Sequence, residues 1–345
     1  MGRRDHRGGI PEIGGKAGGA LKSPARFFQM KRKKMKESRY LKRRVRASLE
    51  AYLYLLPAFL VLGVFTFYPV VRAFQISLYR WPVIGPKTFV GFGNYLKLIG
   101  DREFWMALRN TAYYVAGSVP LTLILAILVA VLLNSKIRGR VIARVAFFIP
   151  YITPMVAATV VWQWIYNRDY GLLNYFLDLL KKGLGYLGFK VHRGPVNWLN
   201  DPRFSIPLLI VIGVWQYVGY QAIILLAGLQ NIDRQYYDAA KVDGASAWHL
   251  FRHITVPLLT PQIFFLLIIS MIGAFQLFTQ VFILYVGNPG PRDSAMTIVF
   301  YIFEKAFREY YMGLASAAAY ILFGIIFILT LIQFRLSRRW VFYGG

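Results

Sequence analysis

Residues 238–261 read DAAKVDGASAWHLFRHITVPLLTP, a polar stretch with carboxylates, a glycine and two histidines between two strongly apolar runs. His249 and His253 stand at i, i+4, a spacing that could put two metal ligands on one helix face. No Glu lies between them and no third ligand is evident, so a surface or partner-facing pair is the expectation. Residues 9–16, GIPEIGGK, superficially resemble a phosphate loop. The spacing is wrong, Ala17 follows Lys16 where Ser or Thr is needed, and no strand pattern precedes it. Any nucleotide therefore binds on another chain. No Ser-His-Asp set and no carboxylate pair is evident, so we expect no catalytic residue, no metal site and no cofactor bound by this chain.

The chemistry left to this segment is docking. An acid-started helix is expected at Asp238-Ala239-Ala240-Lys241-Val242, because an acidic first turn suits the helix dipole. Asp243-Gly244-Ala245 then breaks it, with Gly244 free to take a positive φ or to let a partner approach. Ser246 is a candidate N-cap for a second helix running to Ile254, on which Trp248, Phe251 and Ile254 share an apolar face. Pro257 and Pro261 mark the start of the next apolar run. A plain connector could be much shorter, so the segment reads as a rigid two-helix knob with a small-residue cleft at its elbow.

The elements around the knob are set by composition. The chain has 345 residues, 57% hydrophobic and 16% charged, with a mean hydropathy of +0.45. A soluble domain carries about 25% charged residues. Six apolar runs are long enough to cross a bilayer, near 51–78, 110–133, 141–165, 205–229, 258–286 and 312–336. These runs are too long for barrel strands. The expected fold is an all-α, polytopic membrane protein with six transmembrane helices. There is no cysteine, which excludes disulfides and thiolate metal sites.

The net charge is +26, and residues 1–50 hold 16 Lys/Arg against 4 Asp/Glu. Clusters such as Lys31-Arg32-Lys33-Lys34 and Lys42-Arg43-Arg44 hold a membrane flank in the cytoplasm and attract anionic lipid. No stacking or groove-reading element accompanies them, so nucleic acid is not an expected partner. Residues 1–50 are expected to form a basic, largely disordered cytoplasmic tail, residues 51–340 the membrane domain with its insert at 232–257, and residues 341–345 a cytoplasmic end. With the tail inside, six crossings return the C-terminus inside. Lys136, Arg138, Arg140, Arg335, Arg338, Arg339 and the insert then all fall on the cytoplasmic side. Trp81, Tyr95, Phe104, Trp105, Tyr170, Tyr175 and Trp198 fall in outer loops, at the headgroup level that aromatics favour. Residues 171–180 form a short amphipathic helix candidate, lying on the membrane or facing an outside partner.

The insert resembles the signature of the membrane subunits of binding-protein-dependent ABC importers, Glu-Ala-Ala-x-x-Asp-Gly-Ala followed by Phe-x-x-Ile-x-Leu-Pro. This chain has Asp238-Ala239-Ala240-Lys241-Val242-Asp243-Gly244-Ala245, then Phe251-Arg252-His253-Ile254-Thr255-Val256-Pro257. Asp238 replaces the Glu and Val256 the Leu. The resemblance covers most of residues 50–340 and looks closest to the sugar-type permeases, the group with the maltose and glycerol-3-phosphate permeases. Phe89 to Tyr95 (FVGFGNY), Phe104-Trp105 with Ala107 to Thr111 (ALRNT), and Phe147 to Tyr151 (FFIPY) resemble further family segments. Asn288-Pro289-Gly290-Pro291 departs from the usual Gly-Gly-Gly-Pro.

The resemblance implies a type I ABC importer permease fold in a prokaryotic cell membrane. It implies a second homologous permease, two cytoplasmic ABC ATPase subunits carrying the ATP and magnesium, and an extracytoplasmic solute-binding protein as partners. Asp238, Ala239, Ala240, Asp243, Gly244 and Ala245 would couple to the ATPase. It also implies a solute pathway on the fourth and fifth spans, where the polar groups are Gln216, Tyr217, Tyr220, Gln221, Gln276, Thr279 and Gln280, with Phe275 and Phe278 among them. Uncharged amides hydrogen-bond hydroxyls and rings stack on apolar sugar faces, so such a lining suits a sugar or related polar solute. Polar residues inside a span also serve interhelical hydrogen bonds. A stand-alone secondary carrier or channel is the alternative. Intramembrane carboxylates or an inverted repeat would favour it, and neither is evident.

Overall fold

The computed structural model describes residues 48–82, 85–135, 138–186 and 195–342, with side chains omitted for 184–186. Nearly all of the basic tail, together with Lys136 and residues 343–345, lies outside the described residues. Chain contacts divide the protein into residues 1–70 and 71–345. The first unit contributes the start of α1, Ser48–Ser77, which carries a π turn at Gly63–Phe67. Its apolar side chains, among them Leu53, Phe59 and Phe65, are exposed, as lipid-facing side chains must be.

The described residues of the second unit are mainly helical, with a small antiparallel hairpin, β1 Tyr79–Arg80 with β2 Thr88–Phe89, pairing Tyr79 with Phe89 and Arg80 with Thr88. Its helices are α2 Gly93–Ile99, α3 Arg102–Asn134, α4 Arg140–Ile152, α5 Met155–Ile165, α6 Leu172–Tyr186 and α7 Ser205–Gln230. Next come α8 Arg234–Val242 and α9 Ala247–Leu258. The last are α10 Thr260–Phe275, α11 Thr279–Leu284, α12 Ile298–Phe303 and α13 Met312–Ser337. Among the described residues four helices are long and apolar enough to cross a membrane, namely α1, α3, α7 and α13, and six spans result if the bent pairs α4–α5 and α9–α10 each count as one.

The bends have local causes. Thr153 precedes Pro154 and is extended (φ −71°, ψ 130°), because the proline ring disfavours helical backbone before it. α4 and α5 therefore meet at 98°. The fifth run, expected as one continuous span over 258–286, is interrupted. α10 stops at Phe275, Phe278 takes φ −141° and ψ −58°, and α11 resumes at Thr279.

Two apolar clusters form the core. One gathers Tyr114, Leu209, Ile212, Leu277, Met296 and Phe300, and the other Ala126, Ala130, Leu133, Leu225, Leu259 and Leu266. Small residues bring the backbones together: a Cβ at Gly219 of α7 would collide with the Phe147 carbonyl of α4. Membrane helices associate through such close packing.

The quoted segments before α2 and inside α3 work as fasteners. Asn94 donates to the carbonyls of Ser77 (2.7 Å) and Tyr79 (2.9 Å), closing the end of α1. Tyr95 and Ser77 share a hydroxyl hydrogen bond of 2.8 Å. Asn110 donates to the Met296 carbonyl (3.0 Å), and Thr111 accepts from the Ile298 amide (2.9 Å). Phe104, expected at the headgroup level, is instead buried, edge-on to Tyr301. The amphipathic helix expected at 171–180 is α6. Asn174 anchors it by accepting from the Val196 amide (3.1 Å) and the Trp198 indole (3.0 Å).

Candidate functional site

The break between α10 and α11 opens onto a cavity of about 460 Å³ bounded by α3, α4, α7 and the break itself. Pockets of this size hold small molecules. Its lining includes seven of the nine residues named from the sequence: Tyr217, Tyr220, Gln221, Gln276, Phe278, Thr279 and Gln280. None of the lining residues is acidic or basic. Irregular backbone at span depth is tolerated where it borders a cavity. Here Thr297 donates to the Leu277 carbonyl at 2.7 Å, and Gln276 is left exposed.

Gln216 and Phe275 lie outside this lining. Gln216 is buried and turned away, donating to the Thr153 carbonyl at 3.3 Å, where it serves the α4–α5 bend. Phe275 points into the apolar core. On α7 Gln216 stands about 140° around the helix axis from Gln221, and Phe275 ends the regular turn before the break.

The lining also contains Tyr114, Ser118 and Thr122 of α3, Tyr151 of α4 and Ser270 of α10. The sequence did carry a signal for the first three, a polar i, i+4, i+8 stripe in an otherwise apolar run. Tyr151 stacks on Tyr220 and meets Tyr217 edge-on. Gly213 lets the Tyr114 ring lie against α7, since a Cβ there would strike its hydroxyl. Gln221 donates through Nε2 to Ser270 Oγ at 2.8 Å, while its buried Oε1 has no hydrogen-bond partner among the described residues.

The knob lies at the other feature that the sequence singled out. Its first helix starts four residues earlier than expected. Asp233 caps α8 by accepting from the Gln235 amide (3.0 Å), and Asp238 sits mid-helix, 3.4 Å from Lys241. The Asp233 carboxylate fits an N-cap better than Asp238 because the chain leaves α7 only two residues before it. At the elbow Gly244 takes φ +77°. Its amide bonds to the Lys241 carbonyl (3.0 Å) and the Ala245 amide to that of Ala240 (2.9 Å), the paired bonds of a glycine-terminated helix end. Ser246 then caps α9, accepting from the His249 amide at 3.3 Å. Tyr237 and Thr255 join the two helices at 3.0 Å.

Ala239, Asp243 and Gly244 are exposed, and Ala240 and Ala245 half-buried. Nothing lies within 4 Å of a Cβ built on Gly244. Tyr236, Val242 and Trp248 are exposed apolar residues around the same elbow. His249 and His253 stack on one another at 4.5 Å. The Phe342 amide donates to Thr260 Oγ1 (2.9 Å), placing the end of the chain beside the start of α10, close to the knob.

A multi-pass helical bundle, with one span broken beside an uncharged cavity of mixed apolar and polar lining and a small-residue knob projecting from its end, defines a membrane transport permease. Residues 119–341 match the family described as "Binding-protein-dependent transport system inner membrane component", and the chain belongs to it. It is 34% identical over 302 residues to the lactose transport system permease protein LacF of Rhizobium radiobacter, covering 85% of this chain and 98% of that one. It is 33% identical over 291 residues to the trehalose/maltose transport system permease protein MalF of Thermococcus litoralis, covering 83% and 93%. A chain from the crystal structure of a bacterial alginate ABC transporter, in complex with alginate pentasaccharide-bound periplasmic protein, shares the fold. The TM-score is 0.72 at 22% identity, over 86% of this chain and 96% of that one.

Proposed function

We propose that this permease forms, with a second homologous permease, the pathway for a sugar, oligosaccharide or related polar solute. The observation that carries this reading is the cavity at the broken span, whose uncharged amides, hydroxyls and stacked tyrosines match a polyhydroxyl solute. The names of the relatives support it, since lactose and trehalose/maltose permeases are among them. The best solute contacts are Gln276 and Tyr220, with Gln221, Tyr217, Thr279 and Gln280 beside them.

ATP and magnesium bind to a pair of cytoplasmic ATPase subunits. The knob, through Asp238, Ala239, Ala240, Asp243, Gly244 and Ala245, seats in a cleft of one of them. Close approach needs small residues, and exposed carboxylates accept charge-assisted bonds from a basic partner. Nucleotide-driven closure then biases a two-state rearrangement of the spans. An extracytoplasmic binding protein delivers the solute, as the alginate complex illustrates for its own substrate. Both termini and the knob face the cytoplasm of a prokaryotic cell.

Vesicles holding the full assembly test this reading with a panel of labelled disaccharides. ATP-dependent uptake of one of them, lowered by Gln276→Ala, is the expected result. Uptake that proceeds without any ATPase subunit would overturn it.

A further inference from the structure

A second cavity, about 500 Å³, opens at the end of α3 and α7 remote from the knob, and three arginines converge on it: Arg109, Arg203 and Arg292. All three side chains are exposed, and among the described residues none makes an ion pair or side-chain hydrogen bond. Three like charges around one pocket repel each other. An arrangement that gathers them without a carboxylate partner is stabilised when an anion enters.

The pocket is built rather than incidental. Arg109 is on α3, Arg203 precedes α7, and Arg292 lies in the loop between α11 and α12. That loop is tied to both helices. Asn110 donates to the carbonyls of Met296 (3.0 Å) and Asp293 (3.4 Å), and Ser205 and Ser294 share a hydroxyl bond of 2.6 Å. Arg292 itself takes a left-handed φ of +54°, a backbone state that a non-glycine residue adopts only when its surroundings enforce it. The nearest carboxylates in sequence, Asp201 and Asp293, are otherwise directed: Asp201 Oδ1 accepts from the Arg203 amide at 2.9 Å, and Asp293 forms no ion pair with any of the three arginines.

We propose that Arg109, Arg203 and Arg292 form an oxyanion-binding pocket for a phosphate group. A guanidinium presents a rigid fork of donors that matches phosphate oxygens. A carboxylate offers two oxygens, which one fork can satisfy; a phosphate offers enough acceptors for three. The pocket shares helical stripes with the deeper cavity. Asn110 leads by i+4 steps to Tyr114, Ser118 and Thr122, and Ile206 leads to Gly213 and Tyr217. Arg109 lies five residues from Tyr114, about 8 Å along the axis. The site therefore stands at one mouth of the pathway. The phosphate belongs either to a soluble molecule or to a lipid headgroup at the membrane surface. The proposal does not rest on what the deeper cavity carries.

The test is thermal unfolding of the full-length chain in its native assembly, held in nanodiscs. One arm titrates inorganic phosphate against chloride at matched ionic strength in discs of digalactosyldiacylglycerol, a lipid without phosphate. The other compares such discs with and without phosphatidylglycerol, free of inorganic phosphate. A ligand that binds the folded state raises the melting temperature. Stabilisation by inorganic phosphate assigns a soluble ligand, and stabilisation by phosphatidylglycerol alone a lipid headgroup. In the responsive arm Arg109→Gln, Arg203→Gln and Arg292→Gln should each raise the half-saturating concentration about tenfold, the loss of one charge-assisted bond. Arg292→Lys, which keeps the charge and loses the fork, should fall between and covers the case where a glutamine variant fails to assemble. No response in either arm overturns the proposal. So does an equal response in wild type and every variant.

Discussion

Tyr220 of α7 stacks face to face on Tyr151 of α4, with ring centroids 4.2 Å apart and planes 11° from parallel. The pair forms one wall of the cavity beside the broken span. Because Tyr151 stands three residues before Pro154, the α4–α5 bend and the aromatic wall are set together.

An aromatic pair of this kind is worth about 0.5–1.5 kcal/mol beyond its buried area. If the exposed part of the Tyr220 ring packs on a sugar face with a similar energy, Tyr220→Ala should weaken solute uptake about threefold to tenfold, read mainly in KM. Tyr220→Phe keeps the stack and loses the hydroxyl. Uptake close to wild type in Tyr220→Phe would assign the role to the ring, and a loss equal to that of Tyr220→Ala would assign it to the hydroxyl.

Gln276 is the polar side chain that the broken span leaves exposed at the cavity. If it hydrogen-bonds the solute, Gln276→Ala removes about 1–1.5 kcal/mol of binding, close to tenfold in affinity. Basal ATP hydrolysis should be unchanged, because the substitution is remote from the knob. Measuring uptake and hydrolysis on the same preparation separates a solute contact from a folding defect, which would lower both.

Gly244 gives a sharper contrast between folding and docking. Its φ of +77° makes any side chain cost about 1–2 kcal/mol, yet a Cβ there meets nothing within 4 Å. Gly244→Ala should lower the melting temperature slightly and transport modestly. Gly244→Trp should insert and fold with a similar thermal shift but abolish uptake and uncouple ATP hydrolysis. Normal uptake in Gly244→Trp would remove the knob from the coupling role.

The sequence made the bundle and the knob legible for different reasons. Spans are legible because a bilayer imposes length and apolarity. The Gly244 elbow is legible because a helix end in the left-handed region selects glycine. The break at Gln276–Phe278 is not, since no proline or glycine marks it. It is held by a distant group, the Thr297 hydroxyl on the Leu277 carbonyl. Gln216 and Gln221 look alike in a composition count, and only helical phase separates the one bonded to Thr153 from the one facing the cavity. The hairpin of β1 and β2 is two residues per strand, too short for any alternation to register. Tyr114, Ser118 and Thr122 form a polar stripe on the second span, outside the fourth and fifth spans that the resemblance implies.

Lys305, in the π turn after α12, lies 2.7 Å from Glu103 and 2.6 Å from Glu309. Beside it Tyr301 donates to Asp101 at 2.6 Å. These contacts fasten the α12 segment to the start of α3. Burial alone would lower the Lys305 pKa, but the hydrogen bonds and charges of Glu103 and Glu309 outweigh it and hold it above the ordinary lysine value. Burial, then the bond to Asp101, pushes the Tyr301 hydroxyl up as well. Both groups hold their protons more tightly folded than unfolded. Their contribution to stability is therefore complete below the unfolded values, about 10 for each, and is lost as the pH rises through the folded ones. The melting temperature of the wild type should fall above about pH 10. Lys305→Met should cost about 2 kcal/mol at neutral pH, less than a fully buried pair because Glu103 and Glu309 are 37% and 40% exposed. It should also reduce the alkaline slope, leaving the part owed to Tyr301. A wild-type slope that Lys305→Met leaves unchanged would show that the ion pairs do not hold this end of the bundle together.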